Sequence, residues 1–82
     1  MTDQLRRLLA DLVAEASDGE LRAEDVLAAA VPLPAIGVSS LTQIRLIDAI
    51  EDRWGIEVDA DPSVVNDLDT LAGYLTARGV AP

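Results

Sequence analysis

The stretch Ile36-Gly37-Val38-Ser39-Ser40-Leu41, continuing through Thr42-Gln43-Ile44-Arg45-Leu46 to Trp54, decides the reading of this 82-residue chain. Gly37 permits a backbone geometry closed to other residues, and either serine can accept hydrogen bonds from the first free amides of a helix. The spacing predicts a helix that starts at Ser39 or Ser40 and runs to about residue 53. At about 100° per residue, Gln43, Leu46, Ile47, Ile50 and Trp54 gather on one side as its core face. Leu41, Arg45, Asp48 and Asp52 recur at i, i+4, i+7 and i+11 on the opposite side, with Ile44 and Glu51 at its margin. A single exposed leucine means little. Leu41 directly follows the serine pair, with carboxylates and Ile44 nearby, and this suggests a small docking patch.

Upstream, Leu5, Leu8, Leu9, Leu12, Val13 and Ala16 fall at i, i+3, i+4, i+7, i+8 and i+11, the stripe of an amphipathic helix. It is expected over residues 3–17, capped by Thr2 or Asp3 and ended by the turn chemistry of Ser17-Asp18-Gly19. Residues 19–37 make a long connection. A short helix is expected within residues 22–30, with Val26 and Leu27 inward, stopped by Val31-Pro32-Leu33-Pro34. Leu33 and Ile36 then pin the connection to the core while it delivers Gly37. Downstream of Gly55, Ile56 and Val58 alternate with Glu57 and Asp59 in an extended link. Asp61-Pro62 is a good start for a brief helix through Val64 and Val65. Asp69 or Thr70 is the expected cap of a last helix, with Leu71, Tyr74 and Leu75 inward and Gly79 at its end. The expected fold is all-α: a single domain over residues 1–82, a four-helix bundle with a short third helix and a long loop between helices 1 and 2.

Composition agrees with that class and excludes several functions. Half of the residues are apolar, mostly Ala, Leu, Val and Ile, and Trp54 and Tyr74 are the only aromatics. Such a mix favours helix over strand. There is no cysteine, histidine or lysine, and all six basic residues are arginines. Disulfides, thiolate metal sites and a Ser-His-Asp hydrolase are therefore ruled out. The net charge of −9 opposes nucleic-acid binding and favours partners with basic surfaces. No apolar run approaches the roughly 20 residues of a membrane span. The N-terminal residues do not read as a signal peptide, so a cytoplasmic location is expected.

On the residues alone, the plain reading of Ser39 and Ser40 prevails: they cap a helix. The alternative rests on what a helix N-terminus offers. Its unpaired amides and positive dipole end favour an attached phosphate by about 0.3–1 kcal/mol when exposed. A serine there suits a phosphodiester, but without a base it is no catalyst. Chemistry at its hydroxyl would fall to another protein. Asp48 and Asp52 are the nearest thing to a catalytic carboxylate pair, and i, i+4 spacing on a helix far more often marks a solvated face.

The stretch from Ile36 to Leu46 resembles the Leu-Gly-x-Asp-Ser-Leu motif of acyl and peptidyl carrier proteins. The similarity extends through Glu51-Asp52-Arg53-Trp54-Gly55-Ile56-Glu57-Val58 and Leu68-Asp69-Thr70-Leu71, and it matches that family in length, acidity and helix order. The resemblance implies that Ser40 receives 4′-phosphopantetheine from coenzyme A through a phosphopantetheinyl transferase. The terminal thiol of that arm would then carry acyl groups as thioesters between partner enzymes. It also implies a non-catalytic, monomeric protein with no metal, whose Leu41, Ile44, Arg45, Asp48, Glu51 and Asp52 contact partners: the transferase and the acyl-loading, synthase or adenylation enzymes.

Ser39 stands where the family usually has Asp. It keeps the cap but removes a carboxylate that serves transferase recognition or metal positioning. Arg45 makes the recognition helix less uniformly acidic. Both departures point away from a primary fatty-acid carrier and toward a dedicated partner in polyketide or related secondary-metabolite biosynthesis. Gly37-Val38 fits the acyl-carrier form of the motif better than the Gly-Gly form of peptidyl carriers. A peptidyl carrier of a nonribosomal pathway, or a carrier-like interaction module that is never modified, is the alternative. With Met1 at the start and the last helix near the end, the chain is expected to be free-standing.

Overall fold

Leu5, Leu9, Leu12, Val13 and Ala16 are buried along α1 (Thr2–Ala16), and Ala10 joins them with no exposed surface. The computed structural model describes residues 2–28, 32–58 and 61–80. Ala10 lies off the leucine stripe because α1 packs on α2 (Ala23–Ala28), α3 (Ser40–Trp54) and α5 (Leu68–Ala77) at once. Its buried arc is therefore wider than a single amphipathic face. The helix expected to be third and short is α4 (Pro62–Val65), which stands fourth in the chain because α2 also forms within the connection, and it packs against α5. No strand occurs among the described residues, and the all-α bundle is as expected.

The connection between α1 and α3 is more structured than a proline-broken loop. It contains α2, with Val26 buried and Leu27 half-buried, and then a 3₁₀ turn, Leu33–Ile36. Pro32 and Pro34 do not interrupt this turn; they start it. Pro32 flanks it at φ −58°, close to the value a pyrrolidine ring fixes, and Pro34 sits in the first turn, where a missing N–H costs nothing. Leu33 is buried and Ile36 half-buried, as expected. The last two residues of the expected short helix, 29 and 30, lie outside the described residues, as does Val31. So do Asp59 and the side chains of Thr2 and Asp3; the backbone of α1 already includes both of the latter.

Left-handed residues close the elements. After α1, Asp18 takes φ 57°, the Asp18 amide bonds Glu15 O at 3.0 Å, and the Gly19 amide reaches back to Ala14 O at 3.2 Å. This paired closure satisfies carbonyls that the helix end would leave bare. Ser17, buried beside it, donates through Oγ to Ala14 O at 2.7 Å and accepts from the Leu21 amide at 3.0 Å. The same closure ends α5, where Gly79 has φ 85° and the Val80 amide bonds Leu75 O at 3.0 Å. The start of α5 differs from expectation. Its cap is Asp67, whose Oδ2 accepts from the Thr70 amide at 3.1 Å and from Thr70 Oγ1 at 2.7 Å. Asp69, already inside the helix, lies 2.7 Å from Arg6 Nε. That Nε–H is not in line with the carboxylate and makes no hydrogen bond, so the contact acts through charge. Arg6 also donates through Nη2 to Leu27 O at 3.1 Å, and so ties α1 to α2 and α5.

Candidate modification site and docking face

The path into α3 is set by four consecutive backbone decisions. Gly37 adopts φ 100°, and its amide bonds Pro34 O at 3.2 Å. Val38 is buried, and its amide bonds Leu33 O at 3.2 Å, closing the 3₁₀ turn as α1 and α5 are closed. Ser39 is extended, at φ −79° and ψ 169°. Ser40 is the first helical residue. The burial of Leu33 and Val38 on either side of Gly37 fixes where the chain turns outward, and the serines follow on the surface.

The two hydroxyls have different fates. Ser39 Oγ accepts from the Thr42 amide at 3.2 Å and lies 3.1 Å from Thr42 Oγ1, so Ser39 is the cap. Thr42, the partner in both contacts, is buried, although the core face expected from the sequence left it out. Ser40 is exposed, and its hydroxyl makes no hydrogen bond with the described residues. The first helical bond joins the Gln43 amide to Ser39 O at 2.9 Å, leaving the Ser40 and Leu41 amides without acceptors among the described residues. An exposed hydroxyl beside free amides at the positive end of a 15-residue helix suits a phosphodiester on electrostatic grounds.

From Ser40 the outer face of α3 runs through Leu41, Ile44, Arg45, Asp48 and Asp52, all exposed. Leu41 and Ile44 are each 56 % exposed, and among the described residues no other large hydrophobic side chain is so open. Below them Leu46 and Ile50 are fully buried, with Gln43, Ile47 and Trp54 half-buried. Two of the six expected contact residues are engaged within the protein. Arg45 Nη1 donates to Asp18 Oδ2 at 2.7 Å, joining α3 to the left-handed residue after α1. Glu51 is half-buried, and its Oε2 accepts from the Val58 amide at 2.8 Å, fastening the link after Gly55. Asn66 was not singled out from the sequence. Its main-chain oxygen accepts from the Leu33 amide at 2.6 Å, and its Oδ1 accepts from Gln43 Nε2. Both bonds span more than 20 residues, and no local pattern marks them.

The described residues thus form a helical bundle with an unengaged serine at the start of α3 and two exposed apolar residues beside it. Comparison with known proteins gives the family. The chain is 32 % identical to an acyl carrier protein of Streptomyces coelicolor in an alignment of 83 residues, covering all of this chain and 85 % of that protein. This chain belongs to the acyl carrier protein family, and its role is that of a carrier working with partner enzymes. No family model matches the chain. No solved structure matches it either. Among the described residues, no helix is long and apolar enough to cross a membrane.

Proposed function

We propose that the chain is an acyl carrier whose Ser40 hydroxyl is the attachment point for 4′-phosphopantetheine, transferred from coenzyme A by a phosphopantetheinyl transferase. The observation that carries this reading is the division of labour between neighbouring serines: Ser39 is spent as the helix cap, while Ser40 is exposed and unbonded. The residues present fit the group. Among the described residues the hydroxyl has no partner and the two neighbouring amides have no acceptor. When attached, the arm supplies a thiol that this cysteine-free chain lacks, and with it the capacity to hold acyl groups as thioesters. The chain's own residues present the hydroxyl and favour the phosphate charge. They also offer partners an apolar pair, Leu41 and Ile44, rimmed by Arg45, Asp48 and Asp52, while Glu51 supports this face from its edge.

Ser39 in place of the family's usual Asp, and an arginine on the docking helix, favour a dedicated pathway of polyketide or related secondary metabolism, served in the cytoplasm by a monomeric single domain. The test is mass spectrometry of the protein after incubation with coenzyme A and a transferase. The expected result is a gain of one phosphopantetheine in the wild type and in Ser39→Ala, and none in Ser40→Ala. A gain retained in Ser40→Ala, or a wild type that stays unmodified with a transferase of its own pathway, would overturn the reading. The second of these results would leave an unmodified interaction module in its place.

A further inference from the structure

We infer that Asn66, at the joint between α4 and α5, is the positioning residue that holds Ser40 in its presented geometry. The inference rests on the reading of Ser40 as the modified residue, and its own evidence is the placement of two bonds from one side of the fold. The chain from Leu33 to Gln43 contains the 3₁₀ turn, the left-handed Gly37, the cap Ser39 and the presented Ser40. Asn66 grips both ends of that segment. Its main-chain oxygen takes the Leu33 amide at 2.6 Å, and its side-chain Oδ1 takes Gln43 Nε2. Gln43 in turn makes the first main-chain bond of α3, from its amide to Ser39 O at 2.9 Å. The grip therefore reaches the capping residue through one intervening residue, and it reaches Gly37 and Val38 through the bonds that close the turn.

Between these anchors the segment has few other polar ties to the bundle. Pro34 brings no amide donor, and Ser40 bonds none of the described residues. Burial of Leu33 and Val38 fixes depth but not the rotation of the segment about its own axis, since apolar contact is not directional. The two directed bonds to Asn66 supply that rotation. Asn66 is half-buried, so its bonds compete with water less than surface ones do. Removing the Oδ1 acceptor frees the Gln43 end and lets Asn66 turn, which loosens the Leu33 end as well.

Asn66→Leu keeps the approximate volume and removes the acceptor, while Asn66→Asp keeps an oxygen for Gln43. Amide exchange read residue by residue should quicken about two- to ten-fold at Leu33 and Val38 in Asn66→Leu, the range that one net hydrogen bond commands. Exchange at Leu9 and Val13 in α1 should be unchanged. In the transferase reaction with coenzyme A, Asn66→Leu should raise KM for the carrier at least two-fold with kcat held, because only the presented fraction docks. Asn66→Asp should restore both readouts. An unchanged KM in Asn66→Leu overturns the inference, and so does an Asn66→Asp variant that behaves like Asn66→Leu. If Asn66→Leu fails to fold, Gln43→Met releases the same bond from the other side and is held to the same criteria. Failure of the Ser40 reading is seen separately, as a wild type that takes up no phosphopantetheine. The exchange arm then decides the grip by itself, with unchanged rates at Leu33 and Val38 overturning it.

Discussion

Ser39 and Ser40 share a residue type and a backbone neighbourhood, yet one turn of φ/ψ gives them opposite roles. In the extended conformation of Ser39 the Oγ accepts from the Thr42 amide; one residue later, Ser40 is helical and exposed, and its hydroxyl bonds none of the described residues. Ser39→Ala should therefore lower stability by about 1 kcal/mol, the usual worth of such a cap, measured as a shift of the urea midpoint at constant slope. Ser39→Asp should hold stability, since aspartate caps as well as serine and its charge suits the positive helix end. It should also raise the rate of phosphopantetheine transfer by a generic transferase, because it returns the carboxylate that the family usually carries. Gly37→Ala tests the step before. Nothing lies within 4 Å of the place its Cβ would take, so any loss is conformational. At φ 100° that loss is about 1–2 kcal/mol. The serine pair and Gly37 were readable in the sequence because capping and left-handed turns are decided within a few residues. Asn66 and Thr42 were not. A hydrogen bond to a residue 23 positions away leaves no periodic trace, and a threonine buried by its contact with the cap looks polar to any hydrophobic count.

Among the elements, α1, α3 and the core of α5 were legible because their apolar periodicity is long enough to be unambiguous. The short pieces were legible only in part. The 3₁₀ turn was hidden because Pro32 and Pro34 signal a break, and a single 3₁₀ turn is where that signal and a helical geometry coexist. The α5 cap lies two or three residues before the expected one because Asp67, Asp69 and Thr70 all offer a capping oxygen just ahead of Leu71. Arg6 on the distant α1 occupies Asp69, and Asp67 is left to accept from Thr70. Asp67→Ala should then cost about 1 kcal/mol through the lost cap, seen in the thermal or urea transition. The outer face of α3 should behave differently. Leu41→Asn together with Ile44→Asn removes exposed apolar surface without adding charge, so stability should stay within about 0.5 kcal/mol of wild type. Delivery of acyl groups by a loading enzyme should fall sharply in the same variant. A face that matters only to folding would give the reverse pattern, a lower midpoint with unimpaired loading.

Over the whole molecule, a core of Leu, Ile, Val and Ala works against an excess of negative charge. The core is thin in aromatics, with Trp54 and Tyr74 only half-buried, so each fully buried aliphatic side chain carries a large share of the stability. Against that stands a net charge of −9, set against ion pairs such as Arg6–Asp69 and Arg45–Asp18. The molecule measures 29 × 24 × 21 Å. At 0.01 M ionic strength the Debye length is about 30 Å, so every carboxylate repels every other; at 0.15 M it is about 8 Å, and only neighbours interact. Raising salt across this range should therefore raise the urea midpoint, because the repulsion it screens is greater in the compact state than in the expanded one. Docking should respond with the opposite sign. If Asp48 and Asp52 attract a basic partner surface, the same screening weakens the encounter, and KM for the carrier in the transferase reaction should rise with salt while kcat holds. The two titrations use one protein and one salt series, so they check each other. A midpoint that rises with an unchanged KM would show that the charge governs folding alone and that recognition rests on Leu41 and Ile44. Parallel rises in midpoint and KM would show that the acidity which strains the fold is the same acidity that partners read.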